Sequence, residues 1–377
     1  MGLVARSNPF VCKIHSHLLA QFLLVTRSRG RKRLYAHRSG CEDRGDGAAG
    51  VDVTTKPAST APTPVLPQRA MRYTAGTMKP RKLIKEAARI ASPYCITNGE
   101  KFRLKDFDPA DTNGIQSKKA AEDLLARSSP MLAEMQEKLY AQDVWALLLI
   151  FQGMDAAGKD GAIKHVMSGV NPQGCDVYAF KAPTNEELEH DFLWREHKVV
   201  PGRGKIGIFN RSYYEEVLVV RVHPLLLKAE KLPEELITKH IWQERYEDIN
   251  GFEKFLVRNG VVIRKFFLHI SKEEQKKRFL ERLEDSKKNW KFSMDDIKER
   301  KFWDDYQEAY EEMVQNTATK RAPWFVVPAD NKWYARLVIA SAIIEVLDGL
   351  DLKFPDVDKE KKKELRTIRE ALLADKD

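Results

Sequence analysis

The sequence predicts an α/β fold, a P-loop kinase-like parallel sheet with helices on both faces and a helical lid. Three observations carry this. Residues 153–161 read Gly-Met-Asp-Ala-Ala-Gly-Lys-Asp-Gly, the G-x-x-x-x-G-K core of a phosphate-binding loop. They sit between an almost wholly apolar run, 144–151, and apolar positions at helical spacing, Ala162, Ile163, Val166 and Met167. Beyond them strand-like and helix-like segments alternate to residue 349, the pattern of a parallel sheet with right-handed crossovers.

In chain order, residues 1–78 read as a disordered basic extension, rich in Pro, Ala and Thr around 56–67. The basic cluster from Arg27 to Arg38 fits a polyanion-binding tail, an Arg-rich targeting segment or an upstream extension without a role. The last is favoured, because Met71 and Met78 are alternative starts. Arg6 removes the N-myristoylation pattern. Residues 79–355 form one folded domain. Its stretch 80–140 is helical and expected to pack across the sheet. Strands are expected at 144–151, 175–180, 205–209, 261–270 and 324–327, each a short apolar run. Helices are expected at 159–169, 186–198, 235–258, 271–285, 295–314 and 331–349. Residues 222–236, with Pro224 and Pro233, carry no strand signal and are the candidate lid. Residues 356–377 read as a charged tail.

Composition narrows the function. The chain has 64 Lys+Arg and 55 Asp+Glu, a net charge of +9. Residues 1–80 hold 13 basic and 4 acidic residues, so the other 297 are neutral, with 51 of each. A polyanion site in the folded part must therefore come from local clustering. Cys12, Cys41, Cys95 and Cys175 lie far apart, which argues against a zinc site or disulfide framework and fits a reducing cytoplasm. No run reaches the apolar length of a membrane span, and 10–26, the nearest, is broken by Lys13, His15 and His17.

The loop carries the chemistry. Successive backbone N–H groups at a helix start can wrap a polyanion. Gly153 and Gly158 allow backbone geometry that a side chain would block, and Lys159 would reach the outer phosphates. Gly161 completes the pattern. The usual final Ser or Thr is Asp160, which either replaces the hydroxyl at a metal or caps the helix. Asp155 lies inside the cradle and would repel phosphate unless a cation or an acceptor's proton compensates, so it reads as a metal-side or acceptor-activating group.

About fifty residues on, Ile206 to Phe209 make a strand ending in Asn210, Arg211 and Ser212. Ligands bind at that end in open α/β sheets. Asn210 is a weak replacement for the metal-holding acid usual there, and Glu215 and Glu216, one turn on, could supply the carboxylates. Basic residues Lys164, Lys181, Arg195, Lys198, Arg203, Lys205, Arg211 and Arg221 would suit a long polyphosphate if they converge on the loop.

These residues resemble the polyphosphate kinase 2 family. The segments that carry the resemblance are GMDAAGKDG at 153–161, FKAPTNEELEHDFLWREHKVVPGRGKIGIFNRSYYEEVLVVRVHP at 180–224, FFLHISKEEQKKRFLERL at 266–283, WKFSMDDIKER at 290–300 and APWFVVPADNKWYARL at 322–337. Together they span about 90–355. The resemblance implies a P-loop kinase core with a helical lid. It implies reversible phosphoryl transfer between inorganic polyphosphate and adenine or guanine nucleotides, with Mg²⁺ or alternatively Mn²⁺. By position, Asp155, Lys159 and Asp160 belong to the Walker A loop, and Asn210 and Arg211 to the Walker B region. Asp155, Lys159, Arg211 and Glu216 would be catalytic, and Asp155, Glu215 and Glu216 metal-holding. Lys164, Lys181, Arg195 and Arg221 would touch polyphosphate. The stretch FNRSYYEEVLVVRVHP resembles the subgroup acting on both mono- and diphosphates. Asn210, where other subgroups carry Asp, bears on acceptor preference. The resemblance also implies a homo-oligomer, dimer or tetramer.

Other classes fit less well. A nucleotide switch needs an N-K-x-D-like base-reading motif, which is absent. An ATP-dependent nucleoside monophosphate kinase of thymidylate-kinase type shares loop and lid, and would differ in lacking a basic polyphosphate tunnel. Nucleic-acid binding is opposed by the neutral body and the absence of a matching motif.

Overall fold

The structure is a computed structural model and describes residues 80–375 except 116, 288 and 290–292. The basic extension 1–78 lies outside the described residues. Strands β1 (Cys95–Ile96), β2 (Ala146–Gln152), β3 (Cys175–Ala179), β4 (Ile206–Asn210), β5 (Val261–His269) and β6 (Trp324–Pro328) form one sheet in the order β1-β6-β5-β2-β4-β3. Strands β2 to β6 pair in parallel, and β1 joins β6 antiparallel through Cys95↔Phe325 and Ile96↔Trp324. The longer helices are α1 (Pro80–Ala91), α2 (Lys118–Gln142), α3 (Lys159–Val166), α4 (Ile241–Arg258), α5 (Lys272–Glu284), α6 (Met294–Glu299), α7 (Trp303–Thr317), α8 (Lys332–Asp348) and α9 (Lys359–Ala374).

All seven residues of β2 are buried, which is why that run carries no polar alternation. Helix α8 is apolar nearly all round because α1, α2 and α3 pack against it on one side and β5 and β6 on another. The expected packing of residues 80–140 across the sheet is thus made through α8. Helix α4 packs on β5 and on the helical turn Tyr213–Val217, and α7 packs on α4.

The five expected strands are present, each with both ends within two residues of expectation. Strand β1 gave no signal because only two residues of it pair. The helix expected at 186–198 is instead two turns, Glu187–Glu189 and Trp194–His197. Asp191 stands between them and starts the second, its Oδ1 accepting from the Leu193 N–H at 3.0 Å. The helix expected at 295–314 is broken into α6, the turn Arg300–Phe302 and α7. The charged tail is largely helical, as α9. Residues 224–236 form two short 3₁₀ turns, Pro224–Glu230 and Glu234–Leu236. Leu227 buries there against Val220 and Ile241.

From β2 the chain crosses to β3, returns to β4 on one side of β2, then crosses to β5 on the other. The carboxyl end of β2 is therefore the topological switch point, where a crevice opens between diverging loops. Beneath it lies a charged core. Lys265, fully buried in β5, donates to Glu253 Oε2, Tyr214 Oη and the Thr317 carbonyl, each at 2.8 Å. Tyr213 and Tyr214 both donate to Glu253 Oε1, at 3.0 and 2.8 Å. This network fastens the turn after β4 to α4, β5 and α7.

Removing one partner of such a pair leaves a buried charge uncompensated. Lys265→Met is expected to cost about 3–5 kcal/mol of stability, read by urea unfolding. A loss below about 1 kcal/mol would show that the network carries no more than a surface pair does.

Candidate active site

A loop that presents its N–H groups to an anion must turn its carbonyls elsewhere, and each buried carbonyl needs a donor. The loop 153–157 meets that demand completely. Lys159 Nζ donates to the Gly153 carbonyl and, at 3.4 Å, to that of Met154. Gln275 Nε2 donates to the Asp155 carbonyl at 3.0 Å. Arg278 Nη1 donates to those of Ala156 and Ala157, both at 2.9 Å. Gln275 and Arg278 lie three residues apart on one face of α5, which is capped by Ser271 Oγ accepting from the Glu274 N–H at 3.1 Å. Arg278 Nη2 also donates to the carbonyls of Ala329, at 2.6 Å, and Asp330, at 2.9 Å, tying in the loop after β6.

Backbone conformation agrees with this geometry. Gly153 has φ +152°, and a Cβ there would lie 2.9 Å from the Leu268 carbonyl oxygen. Gly158, at φ +105°, precedes α3. At Gly161 a side chain would meet nothing within 4 Å, so its place in the motif is not steric.

Opposite the loop stands Arg211, at φ +66° just past β4, its N–H bonded to the Phe151 carbonyl at 3.0 Å. Its guanidinium lies 3.1 Å from Asp155 and 3.9 Å from Glu215. Glu215 and Asp155 raise its pKa above the ordinary value. Burial pushes the Lys159 ammonium down to about 8, and Arg211 adds to that. Asn210 Nδ2 donates to Asp160 Oδ1 at 2.8 Å, so these two positions bridge β4 and the start of α3.

The cleft above is about 160 Å³ and is lined by Asp155, Arg211, Glu215, Tyr310 and, from α6 and the turn after it, Asp296, Glu299 and Arg300. Arg300 Nη1 donates to Gln275 Oε1 at 2.7 Å, so the overhanging segment connects to the loop through α5. Burial would raise Glu299, but hydrogen bonds from His223 and Tyr306 hold its pKa below the ordinary value. No residue of the expected lid, 222–236, lines this cleft; α6 overhangs it instead.

Among the expected site residues, the structure brings together Gly153, Asp155, Gly158, Lys159, Asp160, Asn210, Arg211 and Glu215. Glu216 is not among them. It turns the other way and binds Arg245 Nη1 at 2.6 Å, while Arg245 Nη2 holds Glu230 at 2.5 Å. Burial, with Glu230, pushes Glu216 up to about 7, and it lines a separate small cavity with Arg195 and Glu230. The basic residues converge only in part. Lys205 precedes β4, at the far end of the sheet, and pairs with Asp176 at 3.0 Å. Arg221 is taken by Glu312 at 2.6 Å. Arg195 bonds Glu196 and the Lys181 carbonyl, at 3.1 and 2.8 Å. Lys164, Lys181, Lys198 and Arg203 are exposed.

The sequence reading passed over Gln275, Arg278, Asp296, Glu299, Arg300, Tyr306 and Tyr310. The spacing of Gln275, Arg278 and Phe279 on one helix face was the available signal, since two polar residues sharing a buried face need partners.

Asp155 and Glu215 are hard oxygen donors that suit a divalent cation taking one or two carboxylates plus substrate phosphates. Among the described residues no group of three or more His, Cys, Asp or Glu is placed to hold a metal ion.

A family profile described as "Polyphosphate kinase 2 (PPK2)" matches residues 115–355. The chain is 48% identical over 281 residues to the ADP-polyphosphate phosphotransferase of Rhodopseudomonas palustris, covering 74% of this chain and 97% of that protein. It is 45% identical over 263 residues to the AMP/ADP-polyphosphate phosphotransferase of Meiothermus ruber, covering 70% and 94%. The crystal structure of polyphosphate kinase 2 from Arthrobacter aurescens TC1 superposes with TM-score 0.68 at 43% identity, over 73% of this chain and 95% of that one.

Arg278→Lys keeps the charge but cannot serve four carbonyls. Turnover is expected to fall by about 100-fold with the fold intact, and guanidinium ion is expected to rescue Arg278→Ala in part. Steady-state kinetics with circular dichroism as control checks this; unchanged turnover would remove Arg278 from the loop's support.

Proposed function

The chain belongs to the polyphosphate kinase 2 family, and from that premise we propose that it transfers phosphoryl groups reversibly between inorganic polyphosphate and nucleoside mono- or diphosphates, AMP and ADP foremost. The observation that carries the reading is the loop 153–157, with every carbonyl bonded by Lys159, Gln275 or Arg278 and with Arg211 held against Asp155. In transfer, the terminal P–O–P bond of polyphosphate breaks and a P–O bond forms to the acceptor's terminal phosphate oxygen. The protein needs to position the chains and stabilise charge on the transferring group. The loop N–H groups and Lys159 bind the phosphates and answer that charge. Arg211 can clamp a second phosphate oxygen pair, releasing Asp155 and Glu215. Tyr306, Tyr310 and α6 cover the cleft and limit water, which would otherwise accept the phosphoryl group.

Asp155 and Glu215 would hold the divalent ion, Mg²⁺ or Mn²⁺, whose chemistry is to neutralise phosphate charge as it shifts. Glu216, buried against Arg245, is better read as holding the turn that carries Glu215. Arg195 and Lys181 sit beside one another near the same turn, where they could guide the far end of a polyphosphate. We place the reaction in the cytoplasm, where nucleotides coexist with reduced thiols such as those of Cys95 and Cys175. Among the described residues no helix is long and apolar enough to cross a membrane.

The direct test offers long-chain polyphosphate with AMP, ADP, GMP or GDP and Mg²⁺, and in parallel ATP with nucleoside monophosphates. Product with polyphosphate as sole donor is expected; product with ATP alone would favour the thymidylate-kinase type. Asp155→Asn keeps shape and removes charge, so turnover should fall by about 100-fold while polyphosphate affinity holds or improves. A collapse of affinity with turnover retained would make Asp155 a structural loop residue.

Lys159 gives a pH signature. Its pKa is lowered from 10.5 to about 8 in the folded protein, so the unfolded chain binds more protons between those values. Stability therefore rises with pH across that window. A polyanion favours the charged form, so polyphosphate binding near pH 8.5 should take up protons. Calorimetry in buffers of different ionisation enthalpy reads this uptake. Its absence would show that Lys159 does not meet phosphate.

A further inference from the structure

The roof of the cleft has little apolar anchorage. Helix α6 has six residues and none is buried; Met294 and Ile297 face solvent, exposed by 68% and 39%. A segment without a buried apolar face opens at low cost, so polar contacts weigh heavily in where it rests. From the wall formed by the loop and α5, Gln275 holds Arg300 at 2.7 Å.

From the opposite wall comes His223. The short helix Val219–Val222 follows the turn that carries Glu215, and Val219 lines the cleft. His223 ends that helix, its N–H bonded to the Val219 carbonyl at 2.9 Å. Its Nε2 lies 3.0 Å from Glu299 Oε2, the oxygen that also accepts from Tyr306 Oη at 2.7 Å. Its ring packs edge-on against Phe302, with centroids 4.7 Å apart. One side chain thus grips both the last residue of α6 and the turn after it. The cleft below holds about 160 Å³, less than the roughly 300–1,000 Å³ of a site for a drug-sized ligand. A nucleotide and the end of a polyphosphate need more room, so α6 has to rise to admit them and settle again before transfer.

We infer that the His223–Glu299 contact is a latch that holds α6 down over the cleft, and that in doing so it denies the phosphoryl group to water. The second half rests on the proposed polyphosphate transfer. Were water to enter, its oxygen would form the new P–O bond, the terminal P–O–P bond would break, and orthophosphate and a chain one unit shorter would leave with its protons. His223 does not line the cleft, so it is a positioning residue that acts through Glu299.

Hydrogen exchange reads the latch on the full chain without substrate. His223→Ala is expected to speed exchange of the amides of 294–302 by about threefold to fivefold, the reach of a part-exposed ion pair, while those of β2 and α4 stay as they are. His223→Gln, whose amide can donate to the same oxygen, is expected to keep most of the protection. Added to Glu299→Ala, His223→Ala is expected to have no further effect, since its partner is already gone. With polyphosphate, Mg²⁺ and ADP, His223→Ala is expected to raise the orthophosphate released per ATP formed by a similar factor, whereas a general loss of structure would lower both products together. Unchanged exchange at 294–302, a rise shared equally by β2 and α4, additive effects of the two substitutions, or an unchanged ratio of orthophosphate to ATP would each overturn the proposal. The exchange measurement needs no substrate, so it decides the latch whatever donor and acceptor the enzyme uses.

Discussion

The site depends on one constraint: a peptide group that gives its N–H to an anion must place its C=O somewhere dry and bonded. In loop 153–157 the carbonyls are divided between Lys159 and one face of α5. Lys159 thereby closes the start of the loop, and in the proposed function it would also offer charge to the ligand. Arg278 fixes the other end and joins it to the Ala329–Asp330 carbonyls, so the loop after β2 and the loop after β6 share one buried cation. Arg300 reaches the same face through Gln275, giving the segment above the cleft a mechanical connection to the loop it covers.

A second set of buried charges holds the opposite wall. Glu253 and Lys265 anchor Tyr213 and Tyr214, and Arg245 anchors Glu216. Three of the four consecutive residues 213–216 thus point into the protein and are fixed, leaving Glu215 to line the cleft. Replacing such ion networks by apolar residues often costs little stability, so their use here is better explained by the precision they give to a short turn.

Much of this was legible in the sequence, for reasons that differ by element. The apolar runs at β2, β5 and β6 had to be strands covered on both faces, and Gly153 and Gly158 had to bend a loop. Lys159, Asp155 and Arg211 follow from the motif and its distance to the next strand. What could not be read was direction. Glu215 and Glu216 are adjacent acids with the same local pattern, and only the position of Arg245, twenty-nine residues later than Glu216, decides which one turns inward. Arg221 and Lys205 looked like ligand contacts until Glu312 and Asp176, from other elements, claimed them. Gln275 and Arg278 have backbone carbonyls as partners, so only their spacing on one buried helix face marked them. The break of 295–314 into α6 and α7 was silent, since both halves are good helix formers.

The charge of the cleft bears on the proposed cation. Its lining side chains include two guanidinium groups, Arg211 and Arg300, and four carboxyl groups, those of Asp155, Glu215, Asp296 and Glu299. Lys159, behind the loop, adds one positive charge, and burial already lowers its pKa. A cleft with that inventory is not attractive to a polyanion, although the neighbouring backbone is shaped to receive one. The contradiction is resolved if positive charge arrives with the substrate. A divalent ion on the phosphates would take Asp155 and Glu215 as ligands and free Arg211 for phosphate. Asp296, whose pKa is raised by burial and to a lesser degree by Asp155, would feel that relief too. In the proposed function the acid inside the phosphate cradle would make binding conditional on the metal, and a loop with a neutral residue at position 155 would bind phosphate but lose that condition.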